Sequence, residues 1–306
     1  MPIHLPTVTR RRFLVGTAGA MAGLVSIRSL QAAGPNVDPN SFALFSDTHV
    51  AADADTASRG VRMAGTCRAA VGQVLAMNPR PAAVMINGDA AYNTGEPGDY
   101  RQLSSCLAPL SEADVPVHIT LGNHDDRGPF YDVMTEMRPE QPPLVGWHVG
   151  VVETEHANWI MLDSLDQVNV TPGKLGEEQI DWLAKILDAH DDKPAILYGH
   201  HYPQWRQNDF GTPGAFNGLQ DTEALFDVLK EHPQVKAYFF GHSHRWDITE
   251  REGVHLINLP AVGYVFAPTE TSAWVHAQLK PNGMDLTYQA LNKDHDYHEQ
   301  QVTLDW

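Results

Sequence analysis

Cysteine is nearly absent: the 306-residue chain holds two, Cys67 and Cys106. With no CxxC pair and no Cys/His finger spacing, a thiolate-built structural zinc site is excluded. The two thiols either form one disulfide or stay as buried free thiols, and spacing alone leaves both open. Basic charge is scarce as well, with 21 Lys and Arg against 38 Asp and Glu, for a formal net charge of −17. Protein footprints on nucleic acid are basic, so a nucleic-acid partner is excluded. A small anionic substrate remains open, because bound cations would dominate the field of a site. There is no GxSxG elbow, no P-loop and no HExxH helix, so serine hydrolysis, nucleoside triphosphate binding and zincin proteolysis find no support. The chain shows no internal repeat, and its apolar content is that of an ordinary globular protein large enough to bury a full core.

The N-terminus stands apart from this. Residues 1–33 read as an export signal: Thr9-Arg10-Arg11-Arg12-Phe13-Leu14 is a twin-arginine pattern, followed by an apolar stretch from Phe13 to Ile27 and then Leu30-Gln31-Ala32-Ala33. Gly16, Gly19 and Gly23 interrupt that stretch, which is too short for a stable membrane span. The expectation is a folded cargo handed to the twin-arginine export machinery and left in the periplasm or secreted. The rival reading is a basic tail or a retained anchor. The mature domain would run over 34–306, opening with a polar linker at Pro35–Asn40.

From there strand and helix patterns alternate. Apolar runs at Phe42–Ser46, Ala82–Asn87, Val115–Thr120, Ala195–Tyr198 and Val235–Phe240 read as buried strands. Helical rhythm appears over Ser58–Met77, Tyr100–Leu110, Gly176–Asp188 and Thr222–Lys230. Trp147–Val152 and Asn158–Leu162 resemble a strand pair, and Arg245–Leu286 turns to β. Such alternation predicts an α/β fold with a parallel or mixed sheet covered by helices, whose ligands bind at the carboxyl ends of the strands.

Polar clusters occupy those ends. The five runs finish in Asp47-Thr48-His49, Gly88-Asp89, Gly122-Asn123-His124-Asp125, Gly199-His200-His201 and Gly241-His242-Ser243-His244. Singly, an Asp beside a Gly is ordinary turn chemistry. Together they offer oxygen and imidazole donors without thiolate, the set that suits hard or borderline divalent metals. His242 and His244 would project to one side, because strand side chains alternate with period two.

In that order the motifs resemble the calcineurin-like metallophosphoesterase superfamily, over roughly residues 42–290. Gly122–Arg127, Gly95–Tyr100 and Gly173–Leu183 are similar to its cyclic-nucleotide and glycerophosphodiester phosphodiesterase branch. The resemblance implies a four-layer αββα sandwich, two mixed β-sheets flanked by helices. It implies two metal ions (iron, manganese or zinc), the first held by Asp47, His49 and His244, the second by Asn123, His200 and His242, with Asp89 bridging. A metal-bridging hydroxide would attack a small phosphodiester directly, and His124 would stabilise the developing charge or protonate the leaving oxygen.

Some residues stay open. Counting along the strand from Pro194 favours His200 as ligand, whereas aligning on His201-Tyr202-Pro203 resembles purple acid phosphatases and favours His201. Asp89-Ala90-Ala91-Tyr92 echoes the same enzymes, although His49 already fills the place their tyrosine takes. A phosphomonoesterase of acid-phosphatase type is therefore the alternative activity, and a catalytically silent metal-binding module the alternative class. Asp125 and Asp163 are candidates for orienting ligands, and Arg127 either meets a substrate phosphate or is merely solvated. Trp205, Phe210 and Phe216 either line a pocket or form a satellite cluster. The run from Asp294 to His298 reads as flexible surface, and oligomeric state has no signal.

Overall fold

The computed structural model describes residues 36–206 and 215–306, together with the backbone of 27–29. The twin-arginine run and Phe210 lie outside the described residues. Ile27–Ser29 form a short strand, β1.

Following the chain, β2 spans Val37–Ser46. The expected linker at Pro35–Asn40 is thus largely strand, because Val37 and Asp38 pair with Arg80 and Pro81. A hairpin of β3 (Ala57–Ser58) and β4 (Val61–Arg62) comes next, turning at Arg59 and Gly60, whose φ values of +50° and +82° break the helical pattern. Helix α1 therefore starts at Met63 and ends at Leu75. Then come β5 (Arg80–Asn87), α2 (Pro97–Glu112), β6 (Val117–Thr120) and α3 (Arg127–Val133). Pro97 opens α2, where its missing N–H needs no partner. The second half brings β7 (Gly150–Glu153), β8 (Asn158–Met161), α4 (Glu177–Ala189), β9 (Ala195–Tyr198), α5 (Thr222–Glu231) and β10 (Val235–Phe240). Five strands close the chain: β11 (Asp247–Arg251), β12 (Val254–Asn258), β13 (Ala273–Lys280), β14 (Gly283–Ala290) and β15 (Gln301–Asp305). The run from Asp294 to His298 is the turn that returns β14 to β15.

The strands form two mixed sheets, ordered β1-β7-β8-β9-β10-β12-β11 and β15-β14-β13-β2-β5-β6. Period-two alternation explains why their central runs read as continuously apolar: both faces are covered. Phe42, Leu44, Ala83 and Met85 meet Trp159, Ile196, Tyr198 and Phe239 between the sheets. Ala43, Phe45, Val84 and Ile86 face α1, α2 and α3, while Ile160, Leu162, Leu197 and Tyr238 face α4 and α5. The result is the four-layer αββα sandwich. Both thiols lie free and buried in the α1–α2 layer, where Cys106 Sγ donates to Ala64 O at 3.8 Å. Tyr198 OH ties the sheets together by donating to Phe45 O and Met85 O at 3.2 and 3.0 Å, just before the polar residues begin. No helix among the described residues is long and apolar enough to cross a membrane.

Candidate metal centre

Parallel pairing decides where the polar clusters go. Strands β2, β5 and β6 run parallel in one sheet, and β9 and β10 in the other. Their carboxyl ends emerge together, so five segments far apart in sequence meet at one edge of the sandwich. Backbone bonds knit them: His49 N–H donates to Asp89 O (2.9 Å), Gly241 N–H to His200 O (3.0 Å) and Gly263 N–H to Asp47 O (3.0 Å).

Small residues are required at this junction. Gly88 has φ +60°, and a Cβ there would lie 2.5 Å from His200 Cγ. At Gly122 a Cβ would lie 2.5 Å from Asp89 N and 2.6 Å from His200 Cδ2. Left-handed backbone without glycine is also concentrated here: Asp47, His49, Asp89, His242 and His244 all have φ between +45° and +67°. Each such residue costs of order 1–3 kcal/mol and persists only where its surroundings over-determine it.

Eight candidate residues are brought together. Asp47 Oδ1 lies 3.2 Å from His244 Nε2 and 3.9 Å from both His49 Nε2 and His200 Nε2. Asp89 Oδ2 lies 3.8 Å from His49 Nε2 on one side and 3.2 Å from His200 Nε2 on the other. His242 completes the second side, with its ring 5.2 Å from that of His200 and its N–H donating to Asp47 Oδ2 at 3.1 Å. Asn123 and His124 line the same cavity.

The outer nitrogens of three imidazoles are anchored on backbone carbonyls: His49 Nδ1 on Tyr92 O (3.3 Å), His200 Nδ1 on Asn87 O (2.9 Å) and His244 Nδ1 on Tyr264 O (2.6 Å). A carbonyl only accepts, so each Nδ1 carries a proton and, in the neutral ring, each Nε2 presents a lone pair inward. Tyr92 thus enters the site through its carbonyl. His201 differs. Its Nε2 donates to Thr171 O (3.0 Å) and its Nδ1 accepts from Ser164 Oγ (2.7 Å), which uses both nitrogens although the ring lies 4.6 Å from His242.

Electrostatics agree with cation binding. Burial raises the Asp47 carboxyl, but the charges of His244 and His200 outweigh it and bring its pKa to about 2. Asp89 is likewise held well below the usual carboxylate range, with His200 and His49 overcoming burial. Burial lowers His49 to about 4 and His242 to about 3, so both are neutral donors at pH 7. Burial opposes the charged form of His200 too, yet Asp89 raises it to about 9, so a proton sits where the carboxylate charge is strongest. Asn123 Oδ1 is buried with no hydrogen-bond partner, while His200 Nε2 has only the Asp89 carboxylate, at 3.2 Å. An orphaned buried polar atom costs about 1–3 kcal/mol. With an oxygen-and-imidazole donor set around them, both atoms fit a metal.

The other candidates take supporting places. Asp125 accepts from Ala90 N–H (3.2 Å), Ala91 N–H (3.0 Å), Gly122 N–H (2.9 Å) and Tyr100 OH (3.2 Å), stapling the Asp89 loop to the Asn123 loop. Asp163 lies away from the ligands and holds Arg127 Nε at 2.7 Å and His148 N–H at 2.7 Å. Arg127 is thereby fixed, donating also to Leu165 O, rather than solvated or free for a phosphate. Trp205 packs on Phe226 at 4.9 Å with Arg251 over its ring, a satellite cluster.

Sequence reasoning missed one wall. Tyr264 stacks on His49 (4.8 Å between centroids, 28° between planes), and Phe266 stacks on His244 (4.3 Å, 26°). Both come from the β12–β13 connection, where only Gly263 hints at close backbone approach: a Cβ there would lie 2.7 Å from Asp47 O. The cavity above the centre measures about 680 Å³.

The sequence profile of the calcineurin-like phosphoesterases matches residues 41–246, and the chain belongs to that family. Its class is that of a metal-dependent phosphoric ester hydrolase. The chain is 28% identical over 226 residues to the 3',5'-cyclic adenosine monophosphate phosphodiesterase CpdA of Pseudomonas aeruginosa, covering 73% of this chain and 76% of the relative. It is 26% identical over 194 residues to the glycerophosphodiester phosphodiesterase GpdQ of Enterobacter lignolyticus, covering 62% and 66%. A dimetal phosphatase from Danio rerio superposes with a TM-score of 0.64 at 18% identity, over 88% of this chain and 100% of that one. The purple acid phosphatase PPD1 of yellow lupin gives 0.62 at 15% identity, over 87% and 53%. These two share the fold.

Proposed function

We propose that the chain is a binuclear-metal phosphodiesterase for small phosphodiesters of the cyclic-nucleotide or glycerophosphodiester kind. Asp47, His49 and His244 would hold one cation and Asn123, His200 and His242 the other, with Asp89 within reach of both. The observation that carries this reading is the Asp89 carboxylate, whose Oδ2 lies within 3.8 Å of His49 Nε2 and 3.2 Å of His200 Nε2. Relatives named as cyclic-nucleotide and glycerophosphodiester phosphodiesterases support the diester over the monoester.

Two ions of iron, manganese or zinc would supply charge stabilisation to the phosphoryl oxygens and an activated water. The chain's own part is to hold the imidazole Nε2 atoms in fixed directions, that of His200 giving up its proton when a cation binds, and to keep the carboxylates ionised. His124 acts on the other side of the phosphorus. Its backbone N–H donates to Asp89 Oδ1 (2.8 Å) and its Nδ1 donates to Asn93 O (2.8 Å), which leaves Nε2 as the uncommitted nitrogen of a ring lining the cavity; as an imidazolium that ring would deliver the Nε2 proton to the leaving oxygen.

Steady-state comparison of bis(p-nitrophenyl) phosphate with p-nitrophenyl phosphate tests the activity. A larger kcat/KM for the diester is expected, and a monoester turned over far faster would replace this reading with the acid-phosphatase type. The ligand assignment predicts that His201→Gln keeps both metal equivalents and loses about 1–3 kcal/mol of stability, because Ser164 and Thr171 lose partners. Loss of one equivalent by elemental analysis would transfer the ligand role to His201. Residues 1–33 carry the further proposal of twin-arginine export to the periplasm or beyond. Cell fractionation that finds the chain only in the cytoplasm would sink it.

A further inference from the structure

The wall that sequence reasoning missed ends in Phe266, which lines the cavity, with Arg59 behind it. Phe266 is 51% exposed although it is a large apolar ring beside a polar site. Arg59, at the turn between β3 and β4, places its guanidinium 4.9 Å from the Phe266 centroid. Among the described residues no carboxylate pairs with Arg59, and its charge reaches the Tyr264 phenol as well. Arg59 and Gly60 are the two central residues of a tight hairpin turn, and both take the positive φ that such a turn requires. From floor to mouth the wall is a continuous ladder of planar groups: His49 on Tyr264, His244 on Phe266, and Arg59 over Phe266.

We propose that Phe266 and Arg59 are specificity-determining residues, forming a wall that takes an aromatic group of the diester, of the nucleobase class, in preference to an aliphatic alcohol. The inference rests on the phosphodiesterase reading of the centre and deepens it. With His244 stacked on Phe266 and Arg59 over its ring, a base packs against the exposed part of Phe266 beside the guanidinium, and its ring nitrogens and oxygens accept from the guanidinium edge, which presents donors in a fixed plane. A glycerol group has no such face and gains only ordinary contact. The cavity, about 680 Å³, is within the usual range for a small-molecule site. The ladder orders the substrate: the phosphate lies over the ligand imidazoles and the base lies outward at the mouth.

The test is the ratio of kcat/KM for adenosine 3',5'-cyclic monophosphate to that for glycerophosphoethanolamine, in wild type, Phe266→Ala, Phe266→Trp and Arg59→Gln. The ratio is expected to fall roughly tenfold in Phe266→Ala, in line with the loss of one stacked base. A smaller fall is expected in Arg59→Gln, and recovery in Phe266→Trp. A ratio equal in all four proteins overturns the proposal. Calorimetric titration with adenosine 5'-monophosphate and glycerol 3-phosphate reads the wall without turnover. Tighter binding of the nucleotide, weakened roughly tenfold by Phe266→Ala, supports it, and equal affinities overturn it. Phe266-dependent nucleotide binding with neither diester hydrolysed would sink the phosphodiesterase reading and leave the wall standing.

Discussion

Asp89→Ala is expected to lose metal and hydrolysis together, with kcat/KM down by more than about a hundredfold. Mutating a residue that merely orients a metal ligand typically costs 10–100-fold in affinity or activity. Asp89 does more: its Oδ2 faces both His49 and His200, and its Oδ1 receives the His124 N–H at 2.8 Å. One truncation therefore removes the shared oxygen donor and frees the loop that carries the proposed proton donor. The metal-free fold is expected to suffer less. His200, raised to about 9 by Asp89, sheds its proton once that carboxylate is gone and avoids standing as a buried unpaired charge. Elemental analysis alongside kinetics reads both effects. A variant that keeps two metal equivalents and near-normal turnover removes Asp89 from the bridging position. Loss of metal from a chain that never hydrolysed an ester would mark a silent module.

The second large effect is on stability. Stripping the cations with a chelator is expected to remove about 4 kcal/mol when the protein had been held at a thousand times the dissociation constant. At roughly 2–4 °C per kcal/mol this lowers Tm on the order of 10 °C. The physical source lies in what the site stores without metal: two buried carboxylates that repel, left-handed backbone at five donor residues, and the orphaned Asn123 Oδ1. A cation that binds only the native arrangement offsets all three. Adding back zinc, manganese or iron should restore Tm in the order of their affinities. Identical melting with and without chelator would show that the cluster holds no stabilising ion.

The hydrophobic runs ending in Asp47, Asp89, Asn123, His200 and His242 were legible because a strand covered on both faces leaves a nearly unbroken apolar signature, and polar residues just past it have no core to enter. Their number and order carried the family and the four-layer fold. Less was legible where structure depends on partners remote in sequence. Strand β15 has no strong pattern of its own and exists because β14 offers an edge. Helix α1 begins at Met63 rather than Ser58 because a two-residue hairpin turn interrupts an otherwise helical rhythm. Cys67 and Cys106 were undecided by spacing, and both are free thiols in the fold.

Within the centre, strand alternation tells only that His200 and His201 face opposite ways. Which face looks into the site depends on Ser164 and Thr171, residues of another segment that engage both nitrogens of His201, while His200 Nε2 faces the Asp89 carboxylate. Tyr264, Phe266 and Arg59 are brought beside the imidazoles only by the closing of two loops. The sequence by itself determined the chemistry of the donors and the strand ends that bear them, since both follow from local composition and period. Only the tertiary structure decided which nitrogens stay open and what walls the cavity, because hydrogen-bond competition and loop approach are settled between segments that never meet along the chain.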